Sequence, residues 1–259
     1  MNKLPISVCM ISGAEAHRIG ASLQSVADWT SEIVLVLNQE VADGTDKVAT
    51  QFRARVYREP WKGHIDQKNS AAEKATQPWI LGLDSDEIVS EQLRANITAL
   101  FQNPGLDNYA AYNFPRCSFC CGRWIRHGDW YPDRSTRLWR KGKAKWGGIN
   151  PHDKLIVEGG VGRLRGDLLH HTVESIDHLI GKIPRYSTDF VQHSLSQQRS
   201  AGFLDLAVRP WWRFFRGYIL RLGFLDGWQG YYIAWSIAFA TATRYAKVKE
   251  ARAMRNSNP

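Results

Sequence analysis

The chain has 259 residues, of which 44% are hydrophobic and 23% are charged. This length and composition fit one ordinary α/β domain with an appended segment, and they exclude a disordered chain, a collagen-like repeat and a polytopic membrane protein. Lysine and arginine outnumber aspartate and glutamate by 34 to 25, which gives a net charge of +9. This excess predicts an anionic partner such as nucleic acid, a phosphorylated sugar or an acidic membrane face.

The four cysteines indicate a reducing compartment. Cys117, Cys120 and Cys121 lie close together in the sequence and do not resemble the disulfide framework of a secreted scaffold. We therefore expect the protein to be located in the reducing cytosol. Cys117 and Cys120 have the spacing of zinc ligands, with His127 nearby, but no second pair matches them. Ordinary thiols are therefore the favoured interpretation. The opening residues contain no signal-peptide pattern and run directly into a strand-like stretch.

The first hundred residues alternate strand and helix signals, which is typical of a parallel sheet covered by helices. Continuous apolar runs indicate buried parallel strands, and apolar residues at helical spacing indicate the helices between them. We predict strands at 6–11, 33–37, 54–57 and 79–83, helices at 15–28, 43–52 and 65–75, and a further helix that begins after a Ser90 cap.

The remaining sequence divides into two further regions. Residues 103–166 are rich in Gly, Arg, Trp and Tyr with short strand-like pieces, which predicts a mixed sheet with long loops, and a helix is expected at 176–194. Near the end, Arg209, Arg213 and Arg216 share one helical face, opposite a face of aromatic and aliphatic residues. We therefore predict a C-terminal basic amphipathic helix.

The acidic tripeptide Asp84-Ser85-Asp86 directly follows the fourth predicted strand. Open α/β sheets place their ligand sites at the carboxyl ends of strands. Carboxylate oxygens suit Mg²⁺ or Mn²⁺, which keep open positions for the oxygens of a diphosphate. The same residues are also typical of a solvated turn that caps the next helix. Both interpretations stay open, and the position after a buried strand favours the metal site.

The pair His152-Asp153 is a second candidate site. Asp153 could act as general base on an acceptor hydroxyl, with His152 as a metal ligand or as its neighbour. An isolated His-Asp pair is more often a surface turn, so this alternative also stays open. For His170-His171 we favour a structural role.

Two further observations limit the function. No Walker loop, glycine-rich dinucleotide fingerprint or G-x-S-x-G elbow occurs, which removes the commonest nucleotide-binding and hydrolase interpretations.

The basic and aromatic C-terminal segment could bind nucleic acid. Its separation into an apolar and a basic face instead favours an anionic lipid surface, and the remaining alternative is a helix that packs on the protein's own domain. The uncharged stretch 228–243 is too short and polar for a membrane span.

Taken together, these motifs resemble inverting glycosyltransferases of family 2 with the GT-A fold. Within that family they are similar to lipopolysaccharide-core β-1,4-glucosyltransferases, and the similarity spans nearly the whole chain. The segments that carry it are QKNSA at 67–71, WILGLDSDE at 79–87, CGRWIRHG at 121–128, WYPD at 130–133, KAKWGG at 143–148, RFFRGY at 213–218 and RLGFLDG at 221–227.

The resemblance implies an α/β fold with a mostly parallel, Rossmann-like GT-A sheet flanked by helices and a C-terminal amphipathic helical extension. It divides the chain into a transferase domain at 1–200 and a basic membrane-associating region at 201–259. Within the first, 1–102 would bind the nucleotide sugar and 103–200 would form the acceptor side.

The resemblance also implies roles for single residues. The implied donor-binding residues are Ser12, Glu15, Asp43, Lys68, Asp84 and Asp86. The implied catalytic base is Asp153, and the implied ligands of Mg²⁺ or Mn²⁺ are Asp86 and His152. Two positions depart from the family pattern, because Ala14 stands where Asn is usual and Asn38 where Asp is common. These departures imply altered recognition of uracil and ribose.

The implied function is metal-dependent transfer of a sugar, in the first place glucose from UDP-glucose, to an inner-core heptose or a similar phosphorylated glycolipid. The expected location is the cytoplasmic face of a bacterial inner membrane, as a peripheral protein on its anionic surface, with no nucleic acid partner. Two alternatives stay open. One is transfer to a polyprenyl-phosphate-linked or capsule precursor, and the other is a membrane-associated protein that binds sugar nucleotides without catalysis.

Overall fold

The computed structural model describes residues 3–149, 152–197 and 201–257. Its strands are β1 (Leu4–Ser12), β2 (Thr30–Asn38), β3 (Arg55–Glu59), β4 (Trp79–Gly82), β5 (Glu87–Val89), β6 (Ala111–Cys120), β7 (Arg123–Ile125), β8 (Asp133–Arg140), β9 (Ala144–Ile149), β10 (His152–Val157), β11 (Val161–Arg163) and β12 (Leu168–Val173). Its α-helices are α1 (Ile19–Gln24), α2 (Thr45–Gln51), α3 (His64–Glu73), α4 (Glu91–Phe101), α5 (Ile176–Ser196), α6 (Phe203–Phe215) and α7 (Gly227–Ser257).

These elements form two compact units. The first unit contains Met1–Arg116 and Asp133–His170, and the second contains Cys117–Pro132 and His171–Pro259. Strands β6 and β12 each contribute residues to both units.

The first unit is built on a sheet with the strand order β3-β2-β1-β4-β8-β6-β12-β5. The neighbours β3, β2, β1 and β4 all run parallel, with Val8 opposite Ile33 and Cys9 opposite Gly82. In the chain, α1, α2 and α3 each lie between two of these parallel strands. This half of the sheet is therefore built from βα crossover connections. The other half is antiparallel where β8 pairs with β4 and β6 and where β12 pairs with β5.

The parallel strands are buried on both faces, which explains their continuous apolar sequences. Along β1, alternate residues point to opposite faces of the sheet. Ile6, Val8 and Met10 join the larger core cluster, whereas Cys9 and Ile11 join a second cluster on the other face. The helices α1 and α4 contribute to the first cluster and α3 contributes to the second.

The second unit is mainly helical. Its core includes Cys120, Ile125, Val173, Leu179 and Ile233. Helix α6 packs on α7, and a π-helical turn, Arg216–Leu220, and a 3₁₀ turn, Gly223–Asp226, connect them. No described helix combines the length and the hydropathy needed to cross a bilayer.

Most of the predicted elements are confirmed, with differences at their ends. The helix predicted at 15–28 is shorter, Ile19–Gln24, because the chain first forms a turn in which the amide of Arg18 donates to the carbonyl of Glu15. The predicted Ser90 cap is confirmed, since its hydroxyl accepts a hydrogen bond from the amide of Leu93. The amphipathic helix predicted around 209–222 begins earlier, at Phe203, and ends in the π-helical turn.

Candidate active site

A cavity of about 650 Å³ lies in the first unit. Its lining combines residues that follow β1 and β4 with residues of α3, β6, β8, β9, β10 and β12. The charged and imidazole side chains that line it are Glu15, Arg18, His64, Lys68, Asp84, Asp86, Arg116, Arg134, Arg137, Asp153, Lys154 and His170.

The strand ends explain how the first of these residues come together. Since β1 and β4 are parallel neighbours, their carboxyl ends lie at the same edge of the sheet. The amide of Leu83 donates to the carbonyl of Cys9 (3.1 Å), which extends the pairing just beyond β4. Ser12 at the end of β1 and Asp84 beyond β4 therefore line the same cavity.

Asp84 is held by cations on both carboxylate oxygens. Its Oδ2 accepts a hydrogen bond from the buried Arg137 (2.7 Å), and its Oδ1 lies 3.0 Å from Nζ of Lys68. Burial by itself would raise the pKa of Asp84, but the charges of Arg137 and Lys68 hold it well below its ordinary value. The carboxylate is therefore a fixed anion that orients both cations.

Glu87 belongs to the same ion-pair network. It is fully buried, accepts a hydrogen bond from Arg137 (2.8 Å) and accepts another from the amide of Asp84 (3.0 Å). Arg137 thus lies between two carboxylates, so its buried charge is fully paired. The acidic turn after β4 is fixed by this ion-pair network.

Lys68 connects the acidic turn with the second candidate motif. Its Nζ lies 2.9 Å from Oδ2 of Asp153, in addition to its contact with Asp84. The ammonium group also lies over the ring of Trp146, 4.6 Å from its centroid. Asn69, the next residue on α3, donates to the carbonyl of Trp146 (3.0 Å) and accepts from its amide (2.8 Å). The QKNSA and KAKWGG segments are therefore in direct contact.

Asp86 lies beside a different partner. Its Oδ2 is 3.3 Å from Nε2 of His170, and both residues line the cavity. Burial would raise the pKa of Asp86, but its hydrogen bond with His170 and the charge of that imidazole lower it below the usual range. In the described ranges, no group of three or more His, Cys, Asp and Glu side chains has the arrangement of a metal site.

Hydrogen bonds connect the loop after β1 with the loop after β2. Asp43 accepts hydrogen bonds from the amides of Ala16 and Thr45, each 3.0 Å long, and Thr45 Oγ1 accepts from the amide of Glu15 (3.0 Å). The hydrogen bonds with Thr45 and Ala16 lower the pKa of Asp43. The carboxylate of Glu15 pairs with Arg18 (2.6 Å).

The structure brings together most of the predicted site residues. Those that line the cavity are Ser12, Glu15, Lys68, Asp84, Asp86 and Asp153. Asp43 is described but lies outside the lining, where its carboxylate holds two loop amides. His152 begins β10, and its side chain lies outside the described part of the chain. The roles assigned to all these residues remain predictions.

Sequence reasoning missed Arg137, Trp146 and Glu87 as parts of the site and favoured a structural role for His170. Trp146 and Glu87 did stand in segments that carried the family resemblance, so a signal existed for them. Arg137 enters the site only because β8 pairs with β4 and with β6, which no local pattern predicts.

Comparisons with known proteins agree with this fold. The model of the family described as glycosyl transferase family 2 matches residues 7–158. An uncharacterized glycosyltransferase of Rickettsia prowazekii is 28% identical over 260 residues, which cover 95% of this chain and 87% of the relative. The lipopolysaccharide core biosynthesis glycosyltransferase LpsC of Rhizobium meliloti is 29% identical over 232 residues, 87% of this chain and 83% of LpsC.

One solved structure adds to this. The mannosyltransferase PcManGT of Pyrobaculum calidifontis, determined in complex with GDP-Man and Mn²⁺, is similar with a TM-score of 0.54 at 12% identity, over 96% of this chain and 88% of that one. The fold and the relatives define a glycosyltransferase. The chain belongs to glycosyl transferase family 2, and the expected GT-A fold is confirmed.

We predict that Glu87→Gln destabilises the first unit. The side-chain NH₂ group of the introduced glutamine would point a hydrogen-bond donor at Arg137 or at the backbone amide of Asp84, both of which are donors themselves. The buried guanidinium of Arg137 would keep only Asp84 as its counter-ion. Breaking a buried pair in this way costs about 3 kcal/mol or more. Urea unfolding measures the loss, with Glu91→Gln in the exposed first turn of α4 as control. Equal unfolding midpoints for the two variants would contradict the network.

Proposed function

We propose that the chain transfers a sugar from a nucleotide donor, in the first place glucose from UDP-glucose, to a hydroxyl of a phosphorylated glycolipid. The observation that carries this proposal is the bridge formed by Lys68, which joins the acidic turn after β4 to Asp153 inside one cavity. This places a candidate base beside a cation that a diphosphate would attract. Membership of family 2 and the name of the relative LpsC support the donor and acceptor classes.

The donor would bind at the carboxyl edge of the parallel strands. Ser12 and Glu15 lie at the side where the nucleoside is expected, and Lys68 and Arg137 offer positive charge to the diphosphate. In the absence of donor, both cations are satisfied by Asp84. An incoming diphosphate would therefore compete with carboxylates for Lys68 and Arg137.

Asp86 and His170 fit a divalent cation. Asp86 supplies a carboxylate and His170 an imidazole nitrogen 3.3 Å away, whereas both oxygens of Asp84 are already paired with cations. Mg²⁺ and Mn²⁺ sites commonly use few protein ligands and complete their shell with water and substrate phosphates. A cation held there would supply positive charge to the departing diphosphate. Asp86 is therefore retained as a proposed ligand, and His170 is proposed beside it.

Asp153 is proposed as the catalytic base. Its carboxylate would accept the proton of the acceptor hydroxyl while that oxygen bonds to the anomeric carbon and the bond from this carbon to the diphosphate breaks. One displacement inverts the anomeric centre. Because Lys68 pairs with Asp153 before donor binds, transfer of Lys68 to the diphosphate would free the base at the moment it is needed.

The acceptor and location follow from the charge of the chain and from its last segment. Net charge +9 and a basic, aromatic helix α6 suit a phosphorylated glycolipid at an anionic membrane surface. We propose residues 1–102 for donor binding, 103–200 for the acceptor side and 201–259 for membrane contact at the cytoplasmic face of a bacterial inner membrane.

We predict that Asp153→Asn lowers transfer and does not weaken donor binding, because Lys68 loses one of the two carboxylates that compete with the diphosphate. Loss of a positioned base lowers turnover by about 10²–10⁴-fold, and the amide keeps the shape of the side chain. Turnover is measured with UDP-glucose and a heptose-terminated lipopolysaccharide core, and donor affinity by calorimetry. Asp107→Asn, which changes an exposed carboxylate paired with Arg140, serves as control. Turnover of Asp153→Asn equal to that of the control would exclude Asp153 as the base.

We predict that Asp86→Ala and His170→Ala each remove the dependence of donor binding on a divalent cation. Calorimetry with UDP-glucose in Mn²⁺ and in EDTA measures this dependence for the wild type and for both variants. His178→Ala, an exposed imidazole at the start of α5, is the control and should bind like the wild type. A variant that retains the full difference between Mn²⁺ and EDTA would remove its residue from the proposed metal site.

A further inference from the structure

Three arginines of the second unit converge on one buried aspartate. Asp129 lies in the 3₁₀ turn Gly128–Trp130, and its side chain is 5% exposed. Its Oδ2 lies 2.8 Å from Arg216 and 3.4 Å from Arg213, and its Oδ1 lies 3.1 Å from Arg221. Three positive charges thus face one negative charge, which leaves a surplus of two. We call Arg213, Arg216 and Arg221 the arginine cluster.

Hydrogen bonding within the cluster is incomplete. In the described part of the chain, the buried Nε atoms of Arg213 and Arg216 have no hydrogen-bond partner, and Oδ1 of Asp129 accepts none. Burial lowers the pKa of Arg213, and the charges of Arg216, Arg244 and Arg221 lower it further against the opposing charge of Asp129. A second anion would reduce this repulsion and accept hydrogen bonds from the exposed N–H groups of the arginines.

Close backbone contacts hold the cluster in place. Arg216 begins the π-helical turn and Arg221 follows it, and the amide of Gly128 donates to the carbonyl of Arg221 (2.8 Å). A Cβ atom on Gly223 would come within 2.7 Å of the carbonyl oxygen of Gly217, and one on Gly230 within 1.9 Å of the carbonyl oxygen of Gly223. Only glycine fits at these positions, so the guanidinium groups are presented by a rigid frame.

The cluster remains open to solvent. The side chains of Arg213, Arg216 and Arg221 are 34%, 30% and 50% exposed, which is enough for a ligand to reach them. A phosphate group suits them, because its several oxygens accept hydrogen bonds from more than one guanidinium at once, often in the bidentate geometry that arginine favours.

The same unit also exposes a continuous apolar face. On both α6 and α7, the exposed apolar residues of this face recur at helical spacing. They are Leu204, Val208, Trp211 and Phe215 on α6, and Trp228, Tyr231, Trp235 and Phe239 on α7. The rings of Trp211 and Trp235 are 5.4 Å apart, which joins the two rows. Exposed aromatic residues on one face of a helix, with arginines on its other face, are typical of a helix that lies in a membrane surface.

We propose that Arg213, Arg216 and Arg221 form a binding site for the phosphate group of an anionic phospholipid, while the apolar face of α6 and α7 contacts the same membrane. This inference rests on the membrane contact proposed above for 201–259 and adds the atoms that recognise the lipid. Asp129 acts as the counter-ion that holds the three guanidinium groups together when no phosphate is bound.

Sedimentation with vesicles of phosphatidylcholine and phosphatidylglycerol tests this site, using Arg213→Gln, Arg216→Gln and Arg221→Gln singly. The matched control is Arg209→Gln, which removes the same charge from α6 at a residue paired with Asp205 and not with Asp129. Loss of one basic charge near an anionic surface predicts about a fivefold weaker partition for the control. Loss of hydrogen bonds to a bound phosphate predicts at least about a tenfold weaker partition for each cluster variant. Equal effects at all four positions would overturn the proposal.

A charge-neutralising variant distinguishes phosphate recognition from a purely structural role of the cluster. Asp129→Asn removes the carboxylate that competes with phosphate, so vesicle affinity should rise, and a fall in a folded variant would overturn the proposal. Soluble glycerol 3-phosphate should displace the wild type from vesicles. Failure to displace it would exclude a site that recognises phosphate, and displacement of every cluster variant as effectively as the wild type would place the phosphate elsewhere.

UDP binding by calorimetry accompanies every variant as a readout of the first unit. Unchanged UDP affinity together with lost vesicle binding is the expected result for the cluster variants. A wild type that binds UDP but does not sediment with the vesicles would overturn the lipid site and leave the transferase proposal standing. A wild type that sediments with the vesicles but binds no UDP would overturn the transferase proposal and leave the lipid site standing.

Discussion

The ammonium group of Lys68 lies between two carboxylates from distant parts of the chain. Asp84 follows β4, Asp153 belongs to β10 of the antiparallel β9–β10 pair, and the same ammonium lies over Trp146. Because Asp84 is itself held by the buried Arg137, a single connected set of charges fixes both candidate motifs. Without Lys68 and Arg137, the carboxylates of Asp84, Glu87 and Asp153 would have no cation between them.

In the proposed transfer, a nucleotide sugar would bring two phosphate charges to Lys68 and Arg137, which are already paired with Asp84, Glu87 and Asp153. Donor binding would then exchange anions around Lys68 and Arg137. This exchange would couple occupation of the proposed donor site to release of the proposed base, so that a hydroxyl is activated only when a sugar is present to receive it. The arginine cluster around Asp129 follows the same principle, with an internal carboxylate standing where a phosphate would bind.

The sequence predicted those parts of the structure that depend on local pattern. Residues 6–11 and 33–37 were predicted as strands because strands buried on both faces leave unbroken apolar runs, and the position of Asp84 and Asp86 followed from where that sheet ends. Arg137 and His170 were not predicted as site residues, because antiparallel pairings with sequence-distant strands bring them there. The prediction that Asp43 binds donor stays untested; its carboxylate accepts hydrogen bonds from backbone amides, and an aspartate in a loop has the same local sequence signature in either role.

The most direct test of the account is a calorimetric titration of UDP into the wild type and into Lys68→Met. The methionine keeps an unbranched side chain of similar size but removes the charge, so Asp84 keeps Arg137 as its partner while Asp153 loses the ammonium. We expect UDP affinity to fall by at least about tenfold, since a charge-assisted contact to phosphate is lost. Equal UDP affinity in the two proteins would contradict the claim that Lys68 is the group on which donor binding depends.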